Sequence, residues 1–210
     1  MTLSVKVLEL VTVFTNCYLI MDTESRDLVV IDPGLDGKMI LGEINKMGGI
    51  LNAVWLTHGH FDHIGGVAEL VKGSEIDVDI CMHPSDRVLY DNQGGAAFFG
   101  LEIEAGPVPD IWFEDEQKLS VGKYDFVVRH TPGHSLGHVI FHCASEKLLF
   151  SGDLIFKSSI GRTDLPGGSY EQIISSIKNK VMSLPDETKI LPGHGPETAV
   201  AQERSFNPFI

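Results

Sequence analysis

A mixed α/β fold is what the sequence predicts, and two observations carry the prediction. Short apolar, β-branched runs alternate along the chain with segments of helical periodicity at residues 38–47, 67–72 and 169–184. Four of the apolar runs end in a loop that carries His or Asp: VWLTHGHFDH, VVRHTPGH, LLFSGD and ILPGHG. With sheets from the two halves of the chain packed on each other, all four loops meet at one edge of the layers, where α/β folds commonly gather their chemistry.

Residues 5–13 and 17–21 form two such runs joined at Thr15-Asn16, the pattern of a hairpin. Leu28-Val29-Val30-Ile31 is a strand apolar on both faces, stopped by the turn chemistry of Asp32-Pro33-Gly34. Asp32 reads as a brace of that loop, with a ligand role as the alternative. Over residues 38–47 the apolar positions 40, 41, 44 and 47 share one helix face, which Gly48-Gly49 terminates. Residues 53–56 make a strand that runs directly into a His-rich loop, and residues 67–72 a short helix. Residues 78–82 are a strand ending at His83, which reads as structural with metal ligation as the alternative, and residues 85–90 a helical turn. The stretch 91–112 is rich in Gly and Pro and carries Phe98, Phe99 and Ile111. Its length suits either a lid or an ordinary packed loop. Residues 124–130, 139–143 and 147–150 are strands. Ser169 and Gln172 make a capping-box pattern, and positions 173, 174, 177, 181 and 184 give the following helix its buried stripe before Leu184-Pro185 closes it. Residues 189–191 are a last strand and 198–204 a final helix.

Composition bounds the function. The 210 residues fit one domain, 1–210, and 43% hydrophobic with 21% charged residues is an ordinary globular balance. A net charge of −13 with scattered Lys and Arg works against nucleic acid as a partner. No signal-peptide pattern opens the sequence, and no apolar run approaches the roughly 18 residues of a membrane helix, so no membrane partner is expected. Cys17, Cys81 and Cys143 are odd in number and sit in or beside strand-like runs, the pattern of buried reduced thiols in a cytoplasmic protein. No pattern in the chain specifies an oligomeric state.

The His-rich loop, LTHGHFDHIGG at 56–66, places three imidazoles and a carboxylate within six residues, more metal-binding capacity than a fold needs for its own stability. Neutral imidazole and carboxylate are the ligands preferred by zinc and its first-row neighbours. Adding His134, Asp153 and His194 gives five histidines and two aspartates. One arrangement fits charge and reach: His58, His60 and His134 on one ion, Asp62, His63 and His194 on a second, and Asp153 bridging the pair. Two ions about 3.5–4 Å apart share a water and lower its pKa to about 7, supplying a hydroxide to attack a carbonyl. Asp62 is the expected catalytic residue, orienting that hydroxide and taking its proton. Zinc is the expected metal, with iron or manganese accepted by the same ligands. His138 is expected to hydrogen-bond behind the ligands, and His130 and His142 to be structural.

With those residues placed, THGHFDH, TPGHSLGH, SGD and PGHG in this order resemble the metallo-β-lactamase superfamily over nearly the whole chain. The resemblance implies a four-layer αββα sandwich of two mixed β-sheets with helices outside, and it implies the same seven ligand positions. Gly161-Arg162-Thr163-Asp164 and the ending ERSFNPF resemble the small bacterial glyoxalase II-like, or hydroxyacylglutathione hydrolase-like, enzymes. This implies a dinuclear thioesterase acting on a small molecule such as S-D-lactoylglutathione or a related acyl-thiol ester. True β-lactamases usually place Cys or Ser where this chain has Asp153, which counts against an antibiotic hydrolase. Larger glyoxalase II enzymes bind glutathione with a C-terminal helical domain, whereas sixteen residues follow His194 here, so the thiol carrier stays open. Arg162 stands where those enzymes have a basic residue that helps bind the thiol portion; it is the candidate substrate anchor, with bracing of its own loop as the alternative. The sequence is also similar to persulfide dioxygenases, which hold one iron at positions matching His58, His134 and Asp153. That oxidoreductase, or a lactonase-type metallohydrolase, is the alternative function. An inactive metal-bound scaffold would have lost a ligand, and none is missing.

Overall fold

A computed structural model describes residues 2–210. The first sheet contains, in spatial order, β1 (Leu3–Leu10), β2 (Thr15–Asp22), β3 (Asp27–Ile31), β4 (Ile50–Trp55), β5 (Asp79–Met82) and β6 (Ile111–Trp112). Its first three strands are antiparallel and the rest parallel. The second half of the chain supplies β7 (Lys118–Val121), β8 (Tyr124–His130), β9 (Val139–Cys143), β10 (Leu148–Gly152), β11 (Ile155–Phe156), β12 (Ser159–Ile160), β13 (Lys189–Pro192) and β14 (Thr198–Ala199). These build a second sheet of order β14-β13-β10-β9-β8-β7 and a small β11-β12 ribbon.

Alternation along the strands decides the layering. In β2, Tyr18 and Ile20 join one buried cluster while Cys17, Leu19 and Met21 join another, because successive side chains point to opposite faces. The first cluster lies between the sheets, where Trp55 meets Phe126 edge-on at 5.4 Å and Phe141 at 5.3 Å, and Tyr18 meets Phe150 at 5.1 Å. The other face of the first sheet is covered by α1 (Gly37–Met47) through Ile40 and Ile44, by the one-turn helix α2 (Phe61–Ile64), and by α3 (Val67–Gly73) through Val67 and Leu70. After β5 a 3-10 turn, Pro84–Asp86, leads into α4 (Arg87–Asp91). Outside the second sheet, Ile173, Ile177 and Val181 pack from α5 (Tyr170–Ser176) and the π-turn Ile177–Val181 that extends it, with Leu184 just after the turn, beside Val200 of α6 (Val200–Phe206). The expected αββα sandwich is therefore the observed one, and Ser169 accepts a hydrogen bond from the Gln172 amide as its spacing predicts.

Several local expectations need correction. Thr15 and Asn16 are not the turn of the first hairpin: they pair with Leu10 and Glu9 inside β2, and residues 11–14 make the turn, with Phe14 at φ 55. Asp62 and His63 lie on α2 rather than in a loop. The short strands β6, β7, β11 and β12 carry too few residues to display alternation, and no element was expected there; the helix expected over 198–204 begins only at Val200, because Thr198 and Ala199 pair with β13 as β14. All three cysteines are buried and unpaired, and among the described residues no helix is long and apolar enough to cross a membrane.

Two outcomes follow from this packing. Burial of all three thiols predicts that a thiol reagent titrates none of them in the native protein and all three in denaturant, as read by absorbance. Truncating Phe126→Ala at the junction of the sheets should lower the unfolding free energy by about 3–5 kcal/mol in a urea titration.

Candidate metal centre

The four His/Asp loops leave strands at one common edge of the sandwich. His58, His60, Asp62 and His63 follow β4; His134 lies between β8 and the antiparallel β9; Asp153 follows β10; and His194 follows β13, which is parallel to β10. Backbone bonds tie these ends together: the Val139 amide donates to the Thr57 carbonyl at 2.8 Å and the Gly193 amide to the Gly152 carbonyl at 2.8 Å. A Cβ on Gly193 would stand 2.3 Å from Asp153 Oδ1, so only glycine lets this loop pass the carboxylate.

Two buried carboxylates peg the loops. Asp32, with φ 51, accepts from the Thr57 amide at 2.8 Å, from Thr57 Oγ1 at 2.6 Å and from His63 Nδ1 at 2.9 Å. Asp86 accepts from the Gly59 amide at 2.9 Å, Ser135 Oγ at 2.6 Å and the Gly137 amide at 2.6 Å. His58 and His60 thus sit on a segment held from both sides. Asp32, His58 and His63 are also close enough to be grouped as metal donors, but both Asp32 oxygens are already engaged and the residue acts as a brace.

The histidines are oriented by the nitrogen that faces away from the centre. Nδ1 of His58, His63, His134 and His194 lies 3.0 Å from Thr57 Oγ1, 2.9 Å from Asp32 Oδ2, 2.9 Å from the Arg162 carbonyl and 2.9 Å from the Phe14 carbonyl, respectively. With Nδ1 donating in each case, Nε2 is turned inward, where it offers a lone pair once unprotonated. His134 Nε2 is then 3.2 Å from His58 Nε2 and 2.9 Å from His60 Nδ1. Adjacent nitrogens around a tetrahedral zinc with Zn–N bonds near 2.0–2.1 Å stand roughly 3.3 Å apart, so this trio is close to coordination geometry. In the second trio Asp62 Oδ2 is 3.4 Å from His194 Nε2 and 3.9 Å from His63 Nε2. Asp153 lies between them: Oδ1 is 3.4 Å from His63 Nε2, and Oδ2 is 3.6 Å from both His134 Nε2 and His194 Nε2. His63 Nε2 and Asp153 Oδ1 are buried without a hydrogen-bond partner. Orphaned buried atoms of this kind are costly unless a ligand satisfies them, and this donor set fits a pair of divalent cations.

The two trios differ electrostatically. Burial, and then the neighbouring His134 ring, lowers His60 to about 3; burial, followed by His63, holds His58 far below the usual histidine range. At the second trio burial is outweighed, and Asp153, Asp32 and Asp62 together raise His63 to about 10. Asp62 and Asp153 likewise raise His194 against its burial, while His63 and His194 hold the Asp62 carboxyl well below the usual carboxylate range despite desolvation.

The remaining candidates fall into place around this centre. His138 bonds Thr131 Oγ1 at 2.9 Å and accepts from the Asp153 amide at 3.1 Å, the supporting position expected of it. His83 and His130 stack on each other at 4.0 Å, and neither belongs to a trio. The Arg162 guanidinium makes two 2.7 Å bonds to Asp164 and is half exposed; its carbonyl, not its charge, reaches the centre. Residues 93–99 form a 3-10 segment that packs down on α2, where a Cβ on Gly94 would meet the Phe61 amide nitrogen at 2.1 Å. Part of the stretch considered as a lid thus lies against α2 and bounds a cavity of about 520 Å³ beside His60. Asp86, Thr57 and the Phe14 carbonyl escaped sequence reasoning, because nothing local to them marks a partner that lies far along the chain.

Comparison with known proteins agrees with this geometry. A family model described as "Metallo-beta-lactamase superfamily" matches residues 10–194. A curated relative from Haemophilus influenzae, named hydroxyacylglutathione hydrolase GloC, is 36% identical over 93% of this chain and 92% of its own. Among solved structures, BLEG-1 B3 metallo-beta-lactamase has 35% identity and a TM-score of 0.91, covering 98% of this chain and 99% of that one. TTHA1623, solved in a di-iron-bound form, has 39% identity and a TM-score of 0.89, covering 98% and 100%.

Metal uptake by the two trios should separate with pH. An ion at the second trio must displace a proton held by His63 up to about pH 10, so its affinity weakens about tenfold per unit as pH falls; His60 in the first trio stays neutral down to about 3. Elemental analysis after dialysis is expected to find two ions per chain at pH 8 and one near pH 5.5. Asp86→Ala, which strands three buried donors, should cost about 2–4 kcal/mol of stability in urea unfolding.

Proposed function

Because the chain belongs to the metallo-β-lactamase superfamily, we propose that it is a metal-dependent hydrolase of glyoxalase II type that cleaves S-D-lactoylglutathione or a related acyl-thiol ester. The observation that carries this reading is the pair of donor trios facing each other across Asp153, with His63 Nε2 and Asp153 Oδ1 otherwise unsatisfied. His58, His60 and His134 would hold one divalent ion, Asp62, His63 and His194 the other, and Asp153, within 3.6 Å of donors of both trios, would serve either. When bound, such ions supply Lewis-acid polarisation of a carbonyl and acidify a water.

The protein's own groups do the rest. Asp62, kept ionised by His63 and His194, is placed to orient the attacking water and accept its proton. The new C–O bond forms at the acyl carbon, the C–S bond breaks, and the thiolate leaves to solvent. Thr57, Asp32 and the Arg162 and Phe14 carbonyls keep the imidazoles from turning during the reaction, which preserves the orientation on which such catalysis depends. Zinc is the proposed metal. Similarity to ETHE1 from Myxococcus xanthus, at 26% identity and a TM-score of 0.81, supports as a second reading an iron-dependent persulfide oxidation at the same centre.

The test is a rate assay on protein loaded separately with zinc and with iron. Thioester hydrolysis by the zinc form is expected, and Asp62→Asn should reduce kcat by about 10²–10⁴-fold in samples whose metal content is checked in parallel. Oxygen uptake with glutathione persulfide by the iron form, without thioester turnover by either, would instead establish the second reading. A β-lactam serves as the comparator for the similarity to BLEG-1.

A further inference from the structure

The cavity beside His60 has a chemical character that the metal centre does not dictate. Its volume is about 520 Å³, in the range of small-molecule sites. Its walls come from α4 (Val88, Leu89), the 3-10 segment (Phe98, Phe99) and the loops that follow His134 and Asp164 (Leu136, Leu165). Phe98 is 82% exposed, Val88 72% and Leu136 54%. Large side chains that close together on a surface mark a binding face, and here they converge on the outer side of an imidazole whose Nδ1 belongs to the first trio.

No charge is available to a ligand in this cavity. Among the described residues no Lys or Arg lines it, and the Asp86 carboxylate at its base is used by Gly59, Ser135 and Gly137. The neighbouring guanidinium groups are also committed: Arg87 bonds Asp91 at 2.6 Å and lies over the Trp112 ring, and Arg162 is held by Asp164. A substrate arm carrying carboxylates or phosphates would lose hydration there without gaining a cation, in a chain whose net charge is −13. An uncharged apolar arm loses nothing and covers the exposed rings.

Resting on the thioesterase reading, we propose that this cavity seats an uncharged apolar arm of the substrate, so that the preferred substrates are hydrophobic acyl-thiol esters rather than esters of an anionic thiol such as glutathione. The reacting carbonyl then lies at the cavity floor near His60, with the arm running outward between Phe98 and Leu136.

The experiment uses the metal-loaded full chain and two series of thioesters. One lengthens the acyl group from acetyl to hexanoyl on N-acetylcysteamine; the other keeps a lactoyl group and varies the thiol from glutathione to benzyl mercaptan. Expected is a rise in kcat/KM of about three- to fourfold per methylene in one series, which identifies the arm that enters, with an apolar ester exceeding lactoylglutathione at least tenfold. Phe98→Asp and Leu136→Asp, both at exposed positions, should flatten the series, whereas Met39→Asp, exposed on α1, should not. Flat series, or preference for lactoylglutathione over every apolar ester, overturns the proposal while leaving the thioesterase reading standing. Calorimetry with the non-hydrolysable thioether S-hexyl-N-acetylcysteamine separates the opposite case: binding that Phe98→Asp abolishes, without turnover of any ester, retains the apolar site and removes the thioesterase reading. A wild-type dimer that Phe98→Asp dissociates, together with flat series, would make the face an interface between copies and sink the proposal.

Discussion

Two carboxylates that carry no chemistry of their own, Asp32 and Asp86, are what the centre depends on. Each is almost wholly buried and each accepts hydrogen bonds from a segment remote in sequence. A buried anion is tolerable only when its lone pairs are met, so each forces its donors into fixed positions. Asp32 draws Thr57 and His63 toward the end of β3, and Asp86 draws Gly59 and the loop after His134 toward α4. The four side chains on residues 58–63 have little choice of direction once both ends of their segment are fastened. The sandwich brings loops to one edge; these two anions convert proximity into aim.

The sequence made the large features legible because they rest on repetition or on density. Continuous apolar runs at residues 17–21 and 28–31 marked the buried strands, the 3.6-residue stripe marked α1 and α5, and three imidazoles within six residues marked the centre. The seven candidate donors were named from type and spacing, and the fold brings all seven together. What stayed hidden has a common cause. Asp86 looked like an ordinary residue of a helical turn because its donors come from positions 59, 135 and 137. The hairpin turn was placed at Thr15-Asn16 on polarity, yet those residues are buried and paired because Asn16 Nδ2 bonds the Pro192 and Gly195 carbonyls. Local sequence records what a residue prefers, and these positions are set by partners 27 to 51 residues away for Asp86 and 176 to 179 away for Asn16.

The two halves of the centre also show how one edge can hold unlike environments. The first trio is all imidazole, and His58 and His60 in it are driven toward neutrality by burial and by the neighbouring imidazoles. The second includes Asp62 and faces Asp32 and Asp153, so its imidazoles are drawn toward the charged form. Residue type alone does not separate the two sets of imidazoles; the surrounding carboxylates do.

The bond from His194 Nδ1 to the Phe14 carbonyl spans 180 positions of sequence. During synthesis on a ribosome, the half of the centre that contains His58, His60 and His134 can close when a little more than the first sheet and β9 have emerged. The half that needs His194 must wait until β13 has been made and laid against the start of β2. A nascent chain therefore holds His58, His60 and His134 together before His194 has been made, so the two trios are assembled in a fixed order along the chain.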